Sequence, residues 1–214
     1  MGFKVIYGAN SYIAKNVLHM SDSDYITVGN QDCDYTYEEF RKLKNIPGIS
    51  QVLYATGRPQ PPNSKLSENP DLFSKNAFDF FKLMEHLEEF LMKDASIVYL
   101  SSGHSVRASD INPYYAASKA SVNSYVVSMS KKFAKMNLKD GGHRRINAVA
   151  PEAIDSPMID SMLELDNVPR DVYINTRPNM RLLSIEEVVH PILFLLSNKS
   201  TGINGQILIL GGVK

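Results

Sequence analysis

Short apolar runs alternate with longer stretches of helical periodicity along the whole chain, the pattern of a parallel sheet covered by helices on both faces. The spacing predicts strands over 3–7, 25–28, 50–55, 96–100 and 206–210, because continuous apolar runs of that length bounded by turn residues suit strands buried on both sides. The first run breaks at Gly8 and leads into a helical stretch ending about Met20, so strand, tight turn and helix follow in that order. Further helices are predicted over 71–92, 113–138 and 185–196. In the middle one Ala117, Ala120, Val122, Tyr125, Val126, Met129 and Phe133 form an apolar stripe, broad enough for a sheet on one side and a partner subunit on the other, or simply the face of a core helix. The stretch 57–70, with prolines at 59, 61, 62 and 70, reads as an exposed loop, and 151–178 as an irregular segment over a site opening. No repeat or linker divides the chain, so residues 1–214 are expected to form a single α/β domain: a doubly wound parallel sheet in three α/β/α layers, with about 152–178 covering the substrate.

Composition narrows the function. With 23 Lys and Arg against 23 Asp and Glu the formal net charge is zero, which argues against nucleic acid as a partner. No run approaches the ~20 apolar residues of a membrane helix, and MGFKVIYGAN lacks a signal-type core, so a cytoplasmic protein without a membrane partner is expected. Cys33 alone allows neither an intrachain disulfide nor a cysteine zinc cluster and is expected as an ordinary buried thiol. The histidines at 19, 86, 104, 143 and 190 show no metal-ligand spacing; no metal is expected, and His104 is the one placed to border a substrate. The basic cluster of Lys131, Lys132, Lys135, Lys139, His143, Arg144 and Arg145 reads as a solvated helix end. GxSxG is absent, which removes the usual hydrolase nucleophile turn.

Tyr115 and Lys119, four apart near the start of the long helix, emerge on one helix face about a turn apart. A phenol with a reference pKa of about 10 exchanges protons poorly at neutral pH, and a nearby ammonium favours the phenolate. The pair can therefore serve as a general acid/base, although Y-x-x-x-K alone is a common pattern.

Context adds specificity. IVYLSSG followed by YYAASKASV, RINAVAPEAIDSPM, and RLLSIEEVVHPILFLLSNKSTGINGQILILGG together resemble the short-chain dehydrogenase/reductase family over nearly the whole chain. The resemblance implies a Rossmann-type fold, with RINAVAP as the sixth family strand, and an oxidoreductase that moves a hydride between a nicotinamide cofactor and a carbonyl or secondary alcohol. Tyr115 would give or take the proton on the substrate oxygen. Lys119 would lower the tyrosine's pKa and hold the nicotinamide ribose, Ser102 would bind the substrate oxygen, and Asn76, in SKNAFDFF, would hold a water linking Lys119 to solvent. Helices 71–92 and 113–138 would pack across a homodimer or homotetramer interface.

The resemblance also places the cofactor. YGANSYIA would supply Gly8, Asn10, Ser11, Tyr12 and Ile13, with Tyr12 and Ala14 where the family has its second and third glycines. The ending YIA resembles the SIA of the enoyl reductase branch, which spaces its tyrosine and lysine differently. Asp34 in CDYTYEE would meet the adenine, Ala55, Thr56 and Gly57 of YATG would replace an asparagine-rich turn, and Pro151 and Ile154 would border the nicotinamide, with Ser156 near its edge and Glu152 where a glycine normally follows Pro151. At the end of the second strand Gly29 and Asn30 commit to neither charge; Lys15 tilts the expectation to NADP over NAD. The chain is short for the family between Val28 and Ser50, where a helix and a strand are reduced to a brief connection. The unusual residues Tyr12, Ala55 and Glu152 motivate a second reading, an inactive relative serving as a nucleotide-sensing or scaffold protein.

Overall fold

A computed structural model describes residues 2–29, 32–43, 46, 48–107 and 109–212, with Leu165 described in its backbone alone. Its strands are β1 (Phe3–Tyr7), β2 (Ile26–Val28), β3 (Ile49–Tyr54), β4 (Leu91–Leu100), β5 (Arg145–Pro151) and β6 (Ile207–Leu210). The helices are α1 (Tyr12–Met20), α2 (Tyr37–Lys42), α3 (Asp79–Leu87), α4 (Pro113–Asp140), α5 (Pro157–Leu165), α6 (Arg170–Asn175) and α7 (Ile185–Leu196).

The six strands form one sheet in the order β2-β1-β3-β4-β5-β6, and every neighbouring pair is parallel. Two buried cores flank it. One packs Phe80 and Leu83 of α3 and Val122, Val126 and Phe133 of α4 on one face; the other packs Ala14 and Val17 of α1 and Val188, Val189 and Ile192 of α7 on the opposite face. This is the Rossmann-type α/β/α arrangement. Chain order reverses between β1 and β3, so a crevice opens at the carboxyl ends of the central strands.

Several boundaries differ from the periodic reading. The stretch 71–92 is not one helix: a π-helical turn, Ser74–Phe78, precedes α3, a 3-10 turn, Glu88–Phe90, follows it, and Leu91 already belongs to β4. Leu87, Phe90 and Leu91 fit helical spacing, but Leu91 pairs with Ile49 across the sheet, and this tertiary pairing overrides the local pattern. The cover over 151–178 is not irregular, because Pro157 opens α5 and Pro169 caps α6; prolines that read as breakers start these helices. In α4, Ala117 is exposed, and Val122, Val126, Met129 and Phe133 form the sheet-facing side. Cys33 is half-exposed.

The basic cluster also divides. Its four lysines are exposed, whereas Arg145 is buried on β5 and donates to the Leu196 carbonyl at 3.4 Å, the Ser197 carbonyl at 2.6 Å and Ser200 Oγ at 3.2 Å. It ties the carbonyl end of α7 to the sheet, where a cation also complements the helix dipole. Between β2 and β3 the expected shortening is visible: α2 has six residues, and Tyr35 bridges Val28 as an isolated pairing beside the sheet edge.

Candidate active site

The last turn of β4 sets one wall of the crevice. Ser101 Oγ donates to Asn123 Oδ1 at 2.8 Å, and Asn123 Nδ2 donates to Ser105 Oγ at 2.8 Å. These buried bonds pin the 3-10 turn Gly103–Ser105 to α4. Ser102, extended at φ −155°, caps that turn by accepting the His104 amide at 3.3 Å.

Across the crevice α4 starts at Pro113, a residue suited to the first helical position. The Tyr115 amide, too early in the helix for an intrahelical acceptor, donates to Gln60 Oε1 at 2.9 Å. The proline-rich loop thereby holds the helix start. Ser102 and Tyr115 face the same cavity. Burial raises the pKa of Tyr115, and the nearby Ser102 hydroxyl pulls the other way. The lysine-lowered phenol of the sequence reading is thus not the balance found: desolvation of the phenolate dominates.

Lys119, 3% exposed, lies a turn further on. Its Nζ donates to the Leu100 carbonyl at 2.9 Å and stands 4.7 Å above the centre of the Tyr99 ring. Among the described residues no carboxylate lies within ion-pair distance of it, and burial lowers its pKa to about 7. Gly57 fits between this amine and Asn76, since a Cβ there would lie 3.0 Å from Lys119 Nζ and 3.1 Å from Asn76 Oδ1. Asn76 sits in the π-helical turn. Its Oδ1 accepts the Arg58 amide at 2.6 Å, its Nδ2 donates to the Arg58 carbonyl at 2.9 Å and to Ser118 Oγ at 3.1 Å, and its own carbonyl accepts Tyr99 Oη at 2.5 Å.

The side expected to receive a nucleotide is built from the β1–α1 turn. Gly8 has φ +78°, and a Cβ would come within 2.8 Å of the Thr56 amide nitrogen, so a side chain is excluded by both strain and contact. Ser11 caps α1 by accepting the Ala14 amide at 3.2 Å, and Ser11, Tyr12 and Ile13 line the cavity. The amides that open this helix carry its partial positive charge toward that space, the arrangement that receives a phosphate. Tyr12 is 38% exposed, at the rim.

One cavity of about 340 Å³ brings together Ser102, Tyr115 and Lys119 with Ser11, Tyr12, Ile13, Ala55, Thr56, Gly57, Pro151 and Ile154. Gly8, Asn10 and Asp34 do not line it. Cys33 Sγ lies 3.8 Å from Asn10 Oδ1, and Asp34 Oδ2 accepts the Thr27 amide at 2.9 Å, fastening its segment to β2. Asn76 stands behind the wall, and Asn30 falls outside the described residues.

Gln60, Asn123, Arg107, Tyr173 and Arg177 escape the sequence reading. Glu152 in place of a glycine was the available signal for the last three: buried on the cavity wall, it receives Arg107 Nε at 2.7 Å and Nη2 at 3.0 Å, with Arg177 Nη1 at 3.9 Å. Gln60 and Asn123 act across 55 and 22 residues of sequence on Tyr115 and Ser101, separations that no local pattern spans. Among the described residues no group of three His, Cys, Asp or Glu is placed to hold a metal, and no helix is long and apolar enough to cross a membrane.

A family model described as Enoyl-(Acyl carrier protein) reductase matches residues 62–213. The chain is 27% identical over 198 residues to 3-oxoacyl-(acyl-carrier-protein) reductase FabG of Thermotoga maritima, covering 92% of this chain and 74% of that protein. It is 31% identical over 121 residues to a tropinone reductase homolog of Datura stramonium, 56% of this chain but 43% of that protein. A short chain dehydrogenase family protein from Francisella tularensis superposes with a TM-score of 0.82 at 16% identity, over 98% of this chain and 96% of that one. ElxO with NADP bound superposes with a TM-score of 0.79 at 17% identity, over 98% and 97% of the two chains. At these identities the structural likeness speaks for the fold.

Proposed function

The chain belongs to the short-chain dehydrogenase/reductase family, and from that premise we propose that it is an oxidoreductase transferring a hydride between a nicotinamide cofactor and a carbonyl or secondary alcohol. The observation that carries this reading is one cavity lined by Ser102 and Tyr115 together with Lys119, a buried lysine one helical turn from the tyrosine. The glycine cradle at Gly8 and the open start of α1 fit a dinucleotide phosphate. We favour NADP, with Lys15, exposed on α1, taking the additional phosphate.

When bound, the cofactor supplies two electrons and a proton as hydride to the carbonyl carbon. Ser102 donates a hydrogen bond to the substrate oxygen, which strengthens as negative charge gathers there. Tyr115 delivers the proton that completes the alcohol, and takes it back in the reverse direction. Lys119 stands ready to replace that proton and to hold the ribose. Asn76 positions Gly57 and Arg58 beside the lysine and keeps Tyr99 beneath it.

The test is NADPH oxidation against a panel of ketones and aldehydes, with Tyr115→Phe as the blank. Reduction that the variant abolishes is expected. Reduction that survives in the variant removes Tyr115 from the chemistry, and cofactor binding without any turnover favours the nucleotide-sensing alternative.

A further inference from the structure

The cavity wall beside the serine turn carries an uneven charge balance. Glu152 is buried, and room for its side chain comes from two glycines: a Cβ on Gly103 would fall 2.0 Å from Glu152 Oε1, and one on Gly211 would fall 2.9 Å from its Cβ. Both of its oxygens are taken in a fork by Arg107, at 2.7 and 3.0 Å, the tight geometry for a guanidinium and a carboxylate. Arg177 is therefore a second cation beside a carboxylate already matched. Its Nη1 lies 3.9 Å from Glu152 Oε2, beyond hydrogen-bond distance.

Arg177 is held in place rather than loose. Its guanidinium stands 4.4 Å above the centre of the Tyr173 ring, and Nε and Nη2 donate to Thr176 Oγ1 at 3.1 and 2.7 Å. The side chain is 14% exposed and lines the cavity that contains Tyr115. Among the described residues Glu152 is the one carboxylate recorded within ion-pair distance of it. Arg58, on the same cavity, is matched by Asp71 at 2.6 Å. His104 lines the cavity with Nδ1 buried and unpartnered, and burial together with Arg107 holds it below its ordinary pKa, so it adds a polar neutral group. A largely desolvated cation without its own anion is costly until one arrives.

We propose that the substrate is a keto acid, whose carboxylate pairs with Nη1 of Arg177 while its carbonyl oxygen meets Ser102 and Tyr115. Among the guanidinium groups on the cavity the surplus is one positive charge beside a retained carboxylate, which suits a monoanion better than a phosphate dianion; Lys119, the other cation on the cavity, donates to the Leu100 carbonyl at 2.9 Å. This inference rests on the oxidoreductase reading for its carbonyl, but the anion site has its own readout.

Binding of 4-oxopentanoate, 5-oxohexanoate and their methyl esters is measured calorimetrically on the NADPH complex of Tyr115→Phe, which cannot turn over. The same pairs are assayed for turnover in the natural sequence. The acid of at least one pair is expected to bind about tenfold or more tighter than its ester. Arg177→Gln should erase that preference and Arg177→Lys restore part of it, with NADPH affinity within about twofold throughout. Equal binding of acid and ester, no measurable binding of either, or an Arg177→Gln effect confined to NADPH, overturns the proposal; the last would assign Arg177 to a cofactor phosphate. A preference for dihydroxyacetone phosphate over both acids overturns the choice of carboxylate. Acid-selective binding without reduction of any pair leaves the anion site standing and counts against the oxidoreductase reading instead.

Discussion

The two halves of the sheet are built to different standards. On the side of β4 and β5, β4 has 10 residues, α4 has 28 and β5 has seven, those seven all buried, and the serine turn, the tyrosine and the asparagine are each fastened by named hydrogen bonds. On the other side β2 has three residues, α2 has six, and the next strand position is one bridging residue, Tyr35. The contrast teaches that a proton-transfer site depends on depth and rigid support. Under the proposed function, nucleotide binding would be concentrated at the turn of Gly8 and the start of α1, within a few residues.

The largest effect that sharpens this comparison is Tyr115→Phe. Turnover is expected to fall by about 1,000-fold, with thermal stability and NADPH affinity nearly unchanged. Stability variants come next. Arg145→Met removes a buried tether to the last carbonyls of α7 and is expected to cost about 3 kcal/mol. Thr36→Ala removes the capping box of α2 and should cost about 1 kcal/mol or less, because that helix lies on the lightly built edge. Denaturant unfolding compares the two, and equal losses would erase the contrast.

A third effect is titration of Lys119. Its pKa falls from 10.5 unfolded to about 7 folded, so between those values the unfolded chain binds more protons and stability rises with pH. Relative to Lys119→Met, the natural sequence should gain on the order of 2 kcal/mol between about pH 7 and pH 9. Parallel pH profiles of the two would contradict a buried, unpaired amine. A further effect concerns the edge itself: reduced nicotinamide mononucleotide should bind within about tenfold of NADH, a difference of at most about 1.4 kcal/mol, if the adenosine lies against the lightly built β2 edge. A loss of a thousandfold would show that the shortened edge still grips the adenine.

Much of this was legible in the sequence. β1 and α7 fall on their predicted bounds because the turn residues Gly8 and Ser184 mark them. That Tyr115, Lys119 and Ser102 line one cavity could be anticipated because they lie within a short, ordered stretch of the chain. Leu91 in a strand, Gln60 under the Tyr115 amide and Asn123 on the serine turn could not, since each answers to a partner distant in sequence. Arg145 read as surface charge because charge predicts exposure unless buried carbonyls are available to receive it, and here the end of α7 provides them. The paired state of Glu152 was hidden for the same reason, although its place in the sequence was visibly unusual.

The central claim is that the cavity binds a nicotinamide dinucleotide through the Gly8 turn. Calorimetric titration with NADPH and NADH tests it most directly. The account predicts saturation by at least one of them below millimolar concentration, tighter for NADPH, and loss of that binding in a folded Gly8→Val variant, whose added carbons meet Thr56 and Ala55. If neither cofactor binds at millimolar concentration, the altered turn does not hold a dinucleotide and the oxidoreductase reading fails.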